Sequence, residues 1–188
     1  MVNTDQKTWQ EIVQAKFVPE YHNLSRLVEA HRTLSRRIIV TIGSWVVLHI
    51  GHSRYLMAAA GQGDILVVGV DSDETVRRYK GEHRPIAPQE ERVEMLTYLD
   101  FVDLVTLVED VDDRGRWYCG LISMLRPDVF VAVEDSYPEE QRLLIQRHCG
   151  ELVVLPRQAE GTSTTTMIQR ILKAHPELMK KLLEEESK

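Results

Sequence analysis

Five short apolar runs, separated by stretches with helical periodicity, organise the chain. They are rich in valine, isoleucine and leucine and fall at residues 38–42, 65–70, 104–108, 129–133 and 152–155. Runs of this length and composition predict strands that are buried on both faces of a sheet. Helical spacing of apolar residues recurs between and after them, at about residues 51–61, 75–79, 88–99, 117–125, 139–149 and 164–174. We therefore expect helices between successive strands.

This alternation of strand and helix predicts an α/β fold. Parallel neighbouring strands need crossover connections, and right-handed crossovers place helices on both faces of the sheet. The sequence thus predicts a Rossmann-like, parallel five-stranded sheet with helices on both faces.

Amphipathic stretches also lie outside this alternation, at both ends of the chain. Leu24 and Val28 belong to an apolar stripe in an N-terminal helical extension (1–36), and a second stripe lies in a C-terminal helix (176–188). The α/β domain between them covers 37–175. Exposed apolar stripes often bury against a partner, so the two end segments lead us to expect a homodimer.

Composition and charge narrow the kinds of partner. The net charge of −6, from 29 acidic and 23 basic residues, argues against a nucleic-acid partner, which usually requires a basic face. No apolar run approaches the roughly 18 residues of a membrane span, and the N-terminus lacks the apolar stretch of a secretory signal. We therefore expect no membrane association and a cytoplasmic location.

The two cysteines give no sign of a metal site or a disulfide. Cys119 and Cys149 form no Cys-x-x-Cys pair, so neither a structural zinc site nor a disulfide framework is expected.

The loop after the first predicted strand contains His49, Ile50, Gly51 and His52 in sequence. Ligands of open parallel sheets bind beyond the carboxyl ends of the strands, which is where this loop is expected. If a helix begins near Ile50, the two histidines face the same way and Gly51 lets an anion approach the backbone. Free N–H groups at the helix start add partial positive charge. This combination favours a site for a triphosphate.

Two other interpretations of the histidines stay open at this point. Residues of this type near a helix start can be solvated or can cap the helix, and a bare His-x-x-His match also arises by chance. A zinc site is a third possibility, although no Asp or Glu in the following turn supplies a base or a further ligand.

Further candidates for anion binding lie later in the chain. Ser163, Thr164 and Thr165 offer hydroxyl groups at a predicted helix start, although one of them is expected to be the N-cap. Lys80 and Arg92 could neutralise charge on a transferring phosphoryl group. The competing interpretation is that they are solvated surface cations, as most lysines and arginines are.

Three motifs, in order along the chain, carry a resemblance to a known family. Residues 43–56 read G-S-W-V-V-L-H-I-G-H-S-R-Y-L and are similar to G-x-F-D-x-x-H-x-G-H-x-x-x-L. Residues 80–88 read K-G-E-H-R-P-I-A-P, similar to K-G-x-x-R-P-I-x-P, and V-D-S-D precedes them at 70–73. Residues 161–165 read G-T-S-T-T, like G-x-S-T-T. Over about 38–172 the chain thus resembles the HxGH nucleotidyltransferases, in particular heptose 1-phosphate adenylyltransferases and glycerol-3-phosphate cytidylyltransferases.

The resemblance implies roles for residues of all three motifs. The expected catalytic residues are His49, His52, Lys80 and Arg92. The expected nucleotide-binding residues are Gly43, Ser44, Trp45, Gly51, Glu134, Arg157, Ser163, Thr164 and Thr165. The residues expected to bind the acceptor are Asp71, Ser72 and Asp73. The resemblance also implies magnesium (Mg²⁺) as a cofactor, with a nucleoside triphosphate and a phosphorylated small molecule as ligands.

The implied reaction is transfer of AMP from ATP to a sugar 1-phosphate, with release of pyrophosphate. One alternative is a cytidylyltransferase that uses CTP and a polyol phosphate, and another is a nucleotide-binding regulator with reduced catalysis. Val46 motivates the latter, because the family usually has an acid there, near the phosphates or metal. Residues 134–137 read Glu-Asp-Ser-Tyr where the adenylyltransferase branch tends to have Lys-Gly-Gly-Asp-Tyr, so a negative charge replaces a positive one.

Overall fold

The computed structural model describes residues 7–110 and 117–186, which contain one five-stranded parallel sheet. Its strands are β1 (Ile38–Gly43), β2 (Ile65–Asp71), β3 (Leu104–Val108), β4 (Val129–Val133) and β5 (Glu151–Leu155). Each strand lies within one residue of its predicted bounds, and the predicted fold class is confirmed.

Helices connect the strands and extend the chain at both ends. They are α1 (Trp9–Lys16), α2 (Tyr21–Thr33), α3 (Ile50–Ala60), α4 (Asp73–Lys80), α5 (Gln89–Thr97), α6 (Gly120–Leu125), α7 (Glu139–Gln146), α8 (Thr164–Ala174) and α9 (Pro176–Glu186). Thr8, Ser72 and Ser163 each cap a helix by accepting a hydrogen bond from the backbone N–H three residues further on. The starts of α1, α4 and α8 are therefore specified by local side-chain chemistry.

The helix predicted at 117–125 begins later than expected. Cys119 has a φ of 60° and Arg126 a φ of 44°, so left-handed residues stand at both ends of α6. An L-residue in this region interrupts a right-handed helix, which separates Trp117 from α6.

The strand order is β3-β2-β1-β4-β5, so β1 is central and pairs in parallel with both β2 and β4. The chain proceeds outward from β1 to β3 and then returns to the other side of β1 with β4. Open sheets bind ligands at such a switch point, beyond the carboxyl ends of the strands. Gly43 is in register with Val70, so the carboxyl ends of β1 and β2 lie side by side.

Two hydrophobic clusters cover the two faces of the sheet. One joins residues of α2, α6 and α7 to the sheet, and its fully buried members include Leu24, Leu121 and Ile145. The other joins residues of α3 and α5, among them Leu56 and Leu96. Helices on both faces are thereby confirmed.

The N-terminal extension packs into this core. Leu24 and Val28 of α2 are fully buried, and Phe17 forms a parallel bridge with Val105 of β3. The extension thus protects the outer edge of β3, a strand that would otherwise expose unpaired backbone groups. The predicted segments 1–36 and 176–188 also include residues 1–6 and 187–188, which lie outside the described residues.

The C-terminal helix α8 has no buried residue, a property that it shares with α1. Ile171 and Leu172 are 57% and 42% exposed on α8, and Leu183 of α9 is 59% exposed. Of the helices in the described part of the chain, none is long and apolar enough to cross a membrane.

Candidate functional site

A cavity of about 680 Å³ lies at the carboxyl edge of the sheet, by the switch point between β1 and β4. Segments that follow β1, β2, β4 and β5 contribute to its walls. The predicted site residues line it, with four exceptions, which are Arg92, Glu134, Ser72 and Asp73.

His49 caps the start of α3 and also lines the cavity. Its Nδ1 accepts a hydrogen bond of 3.2 Å from the backbone N–H of Gly51, so Nε2 is the ring nitrogen available to a ligand. A Cβ atom at Gly51 would lie 3.0 Å from Cε1 of His49 and 3.3 Å from Cβ of Ala159. The absence of a side chain at Gly51 therefore allows the ring to pack closely over the helix start.

His52 stacks on His49, with ring centroids 3.8 Å apart. Burial lowers the pKa of His52 to about 4, and the neighbouring His49 and Lys80 act in the same direction. Its Nδ1 atom is buried and has no hydrogen-bond partner among the described residues. Burial also lowers the pKa of His49, as does the charge of Arg157. Both rings are therefore neutral at pH 7 in the free protein, and a bound anion would favour their protonation.

Trp45 packs against the histidine pair through its contact with His52. Its Nε1 donates a 2.9 Å hydrogen bond to the backbone oxygen of Gly69, and its ring meets His52 edge-on with centroids 5.3 Å apart. Trp45 is 5% exposed and has a φ of 46°, a left-handed conformation that costs energy in a residue with a large side chain. A Cβ atom at Gly43 would lie 3.0 Å from the Trp45 ring, so glycine fits this turn closely.

Lys80 and Asp71 provide opposite charges on the β2 side of the cavity. Lys80 Nζ donates a 2.6 Å hydrogen bond to Ser44 Oγ, which joins the end of α4 to the loop after β1. Much of the Lys80 side chain is exposed, yet desolvation lowers the pKa of its ammonium, while Asp71 opposes that shift. Burial raises the pKa of Asp71, and Tyr79 Oη donates a 2.5 Å hydrogen bond to Asp71 Oδ2.

Arg92 does not line the cavity; it lies behind its wall and is 1% exposed. Its Nη1 donates to the backbone oxygens of Ser44 and Asp71, at 2.5 Å and 2.8 Å. Its Nη2 donates to Asp73 Oδ1 at 2.5 Å, and Nε to the backbone oxygen of Ala87 at 3.0 Å. The guanidinium therefore ties together the loop after β1 and the end of β2.

Ser72 and Asp73 begin α4 instead of lining the cavity. Ser72 is 3% exposed and its Oγ accepts a 3.2 Å hydrogen bond from the Thr75 backbone N–H. The Asp73 carboxylate is the ion-pair partner of Arg92. Of the three residues expected to bind the acceptor, Asp71 alone reaches the cavity.

The start of α8 brings a second helix N-terminus to the cavity. Ser163 is its N-cap and accepts a 3.1 Å hydrogen bond from the Thr166 N–H. Thr164 and Thr165 form the first turn and line the cavity together with Ser163. The first N–H groups of a helix lack intrahelical acceptors, so both helix starts bring positive partial charge here. At the α3 start the N–H groups of Gly51 and His52 already donate to His49.

Arg157 and Asp135 form an ion pair between the ends of β5 and β4. Arg157 Nε donates a 2.9 Å hydrogen bond to Asp135 Oδ2, and Nη2 bonds the same oxygen. Both side chains line the cavity, with 56% and 49% of their surfaces exposed. Glu134 lies outside the cavity, where its Oε1 accepts a 3.3 Å hydrogen bond from the Arg157 backbone N–H.

Sequence reasoning missed four aromatic residues of the cavity wall, which are Tyr55, Tyr79, Trp117 and Tyr137. Trp117 stacks on Tyr137 with ring centroids 5.4 Å apart, and Tyr137 Oη donates a 3.2 Å hydrogen bond to the Ile42 backbone oxygen. Tyr79 adds the hydroxyl that binds Asp71. Trp117 and Tyr137 pack against the cluster on the α2 face of the sheet, whereas the histidines lie on the α3 face. No local pattern signals this wall, because its members are far apart in sequence.

The described residues contain no group of three or more His, Cys, Asp or Glu side chains that could hold a metal ion. Among the described residues, Asp71 and Asp135 are the carboxylates that line the cavity, and each is bonded to a neighbouring side chain. Magnesium usually keeps several waters and binds one or two carboxylates together with substrate phosphates. This donor set does not form a protein cage for a metal, and it leaves room for an ion that is bound to phosphates.

Comparison with known proteins places this geometry in context. The cytidylyltransferase-like family model matches residues 40–171. "Bifunctional protein HldE" of Geobacter metallireducens is 38% identical over 156 residues, which are 82% of this chain and 31% of that protein. The protein of the same name from Pelobacter propionicus is 37% identical over 154 residues, which are 81% of this chain and 30% of that protein. The chain thus spans about a third of the length of these curated relatives.

Solved structures share the architecture. The lipopolysaccharide core biosynthesis protein of Thermoplasma volcanium superposes with a TM-score of 0.57 at 25% identity, over 66% of this chain and 99% of that one. The pantoate-beta-alanine ligase of Francisella tularensis, solved with beta-gamma ATP and beta-alanine, gives a TM-score of 0.58 at 14% identity. It covers 90% of this chain and 78% of that chain, and at this identity the likeness concerns the fold alone.

Proposed function

The chain belongs to the cytidylyltransferase-like family, and on that basis we propose that it transfers AMP from ATP to a sugar 1-phosphate and releases pyrophosphate. One observation carries the proposal: the starts of α3 and α8 converge on a single cavity with His49, His52 and Lys80. Helix N-termini and cations together are suited to a polyphosphate.

The reaction needs no covalent intermediate with the protein. A phosphate oxygen of the acceptor attacks the α-phosphorus of ATP in line, the bond from that phosphorus to the bridging oxygen breaks, and the electron pair leaves with pyrophosphate. Catalysis then depends on positioning and on neutralising charge at the phosphoryl oxygens. His49, His52 and Lys80 supply donors at the reacting phosphates, and the α8 start and Arg157 hold the rest of the triphosphate.

The neutral state of the two histidines matters for this scheme. Burial keeps the pKa of His52 at about 4 in the free protein. The imidazole of His52 is therefore uncharged when the triphosphate enters the site. A bound triphosphate would then stabilise the protonated form of the ring.

Arg92 acts in this proposal as a positioning residue. Its hydrogen bonds to the backbone of Ser44 and Asp71 hold two cavity-lining segments in place, and its 1% exposure leaves no route to a phosphate. A charged group bonded to several backbone oxygens is a strong and directional restraint.

We propose that Mg²⁺ enters with the triphosphate. The ion would supply charge neutralisation at the phosphate oxygens, and no residue of this chain is assigned as its ligand.

The acceptor is proposed to occupy the aromatic side of the cavity. Asp71, Tyr79, Tyr137 and Trp117 combine a buried carboxylate, hydroxyl groups and flat apolar surfaces. Polar groups set in an apolar wall fix the orientation of a small ligand, and a polyhydroxylated sugar offers both kinds of surface. Lys80 is close to both the aromatic side and the histidines, since its Nζ lies 5.5 Å from the centroid of the Tyr79 ring and its charge lowers the pKa of His52.

A substrate matrix tests the proposal. ATP, CTP, GTP and UTP are each combined with sugar phosphates, glycerol phosphate and flavin mononucleotide, and pyrophosphate release is measured. We expect release with ATP and a sugar 1-phosphate. His49→Ala and His52→Ala should each lower kcat/KM by about 10²–10³-fold, the usual cost of removing one donor to a reacting oxygen.

His22→Ala is the matched control, because His22 is an exposed histidine of α2 that does not line the cavity. It should retain wild-type turnover. Unchanged pyrophosphate release in His49→Ala and His52→Ala would refute the assignment of the site.

Val46 supports a second candidate, a nucleotide-binding regulator with reduced catalysis. Its side chain is 2% exposed and does not line the cavity, so it offers nothing to phosphates or metal. Saturable binding of ATP, together with no pyrophosphate release for any combination of nucleotide and acceptor, would favour the regulator. Release with CTP and glycerol phosphate would instead favour a cytidylyltransferase.

We further propose that the protein acts in the cytoplasm as a homodimer. Leu24 and Val28 of the N-terminal stripe are buried within the chain, and Ile171 and Leu172 of α8 are exposed, so we expect α8 to contact a second copy.

A further inference from the structure

We propose that Asp135 lowers the affinity of the site for triphosphate, because it holds Arg157 in an ion pair that the phosphates must displace. The inference rests on the proposed function only in assuming that a triphosphate binds in this cavity. Asp135 thereby acts through Arg157 and is a positioning residue.

The geometry of the pair is the first support. Two nitrogens of the Arg157 guanidinium bond a single oxygen, Oδ2 of Asp135. Both side chains line the same cavity, so the pair stands inside the space that a ligand must enter. The two residues follow different strands, and the ion pair joins the ends of β4 and β5.

The surroundings of Arg157 are the second support. Its charge lowers the pKa of His49, so the guanidinium lies close enough to the histidine pair to share a ligand with it. The α8 start, with Ser163 and Thr164, lines the same cavity. A triphosphate among these groups would meet Arg157 already occupied by a carboxylate.

Exchange of partners follows from the chemistry of the arginine. Guanidinium binds carboxylate and phosphate with the same planar donor geometry, and a phosphate brings more charge and more acceptor oxygens. The Asp135 pair is half-exposed, so it is weak enough to be displaced. The ion pair still lowers the affinity for triphosphate, because it must break before Arg157 can bind the ligand, and its free energy is then lost.

Calorimetric titration with inorganic tripolyphosphate tests this inference without reference to base or acceptor. Asp135→Asn should bind about two- to fivefold more tightly than wild type, the range that corresponds to an exposed ion pair. Arg157→Ala should bind more weakly than wild type. In the double variant the gain from Asp135→Asn should disappear, because no arginine remains to be released.

Glu140→Gln is the matched control, since it removes one exposed carboxylate five residues away that does not line the cavity. Its affinity should equal that of wild type. The inference is overturned if Asp135→Asn binds equally or more weakly, if Arg157→Ala binds as wild type does, or if the double variant keeps the gain. Persistence of the gain would mean direct repulsion by Asp135.

Failure of this inference is distinct from failure of the proposed function. Absence of pyrophosphate release from wild type with every acceptor would refute the transferase, while the tripolyphosphate titrations would still report on Asp135. Turnover by wild type with no effect of Asp135→Asn would refute only the role of Asp135.

Discussion

At the scale of single residues, burial decides the chemistry of the site. His52 and Arg92 were both expected to act on the phosphoryl group, and the two are buried in different ways. His52 lines the cavity, and its buried Nδ1 has no hydrogen-bond partner in the described part of the chain, whereas Arg92 donates all of its assigned hydrogen bonds to the protein itself. His52 can therefore change its protonation when a ligand binds, whereas Arg92 holds the walls of the cavity in place.

The lowered pKa of His52 predicts a pH-dependent stability. An unfolded chain binds a proton to this histidine below about pH 6.5, whereas the folded protein does so only below about pH 4. The unfolded state therefore binds more protons between these values, and stability falls as the pH falls from about 6.5 to 4. The loss attributable to His52 should reach up to about 3 kcal/mol.

Urea unfolding at several pH values measures this effect. His52→Gln should lose less free energy of unfolding than wild type over the same interval. His22→Gln, a replacement of an exposed histidine on α2, should follow the wild-type profile. Parallel pH profiles for wild type and His52→Gln would contradict the assigned cause.

At the scale of secondary-structure elements, helix starts and strand ends organise the site. The caps at His49 and Ser163 fix where α3 and α8 begin, and both starts reach the same cavity. The α2 helix contributes differently, because it covers one face of the sheet and does not touch the cavity.

Leu24→Ala tests whether the N-terminal extension is part of the folding unit. Leu24 is fully buried in the same cluster as Phe130 of β4, so its truncation should lower the free energy of unfolding by about 2–5 kcal/mol. Unfolding should stay a single transition. Leu34→Ala, at a site that is 69% exposed just after the same helix, should change stability by less than about 0.5 kcal/mol. A separate early transition in Leu24→Ala would show an independent module.

At the scale of the whole molecule, the distribution of exposed apolar surface suggests how copies associate. The α8 helix is amphipathic and has no buried residue, and Ile171 and Leu172 are exposed on it. Apolar helix faces left exposed in one chain commonly pack in a symmetric dimer.

Light scattering at micromolar concentration tests the dimer. We expect twice the chain mass of 21.7 kDa, and Ile171→Lys should shift the protein toward monomer. Met95→Lys places the same charge on α5, at a site that is 52% exposed, and should leave the mass unchanged. A monomeric mass for wild type would refute the proposed homodimer.

The amino-acid sequence by itself determined the elements and the central motif. Valine and isoleucine runs specify strands through their own packing preference, as in β1 and β2, and caps such as Ser72 and Ser163 act within a few residues. The His49 to His52 segment could be assigned to a phosphate site because strand ends in parallel sheets are where ligands bind.

Tertiary structure alone decided which distant residues share the cavity. Trp117 meets Tyr137, and Arg157 meets Asp135, only because the strand order brings the ends of separate strands together. Arg92 was indistinguishable in sequence from a ligand-binding cation, and its burial behind the wall depends on how α5 packs against β2 and β3. Local patterns encode contacts a few residues apart, whereas charge partners and burial depend on the whole packed sheet.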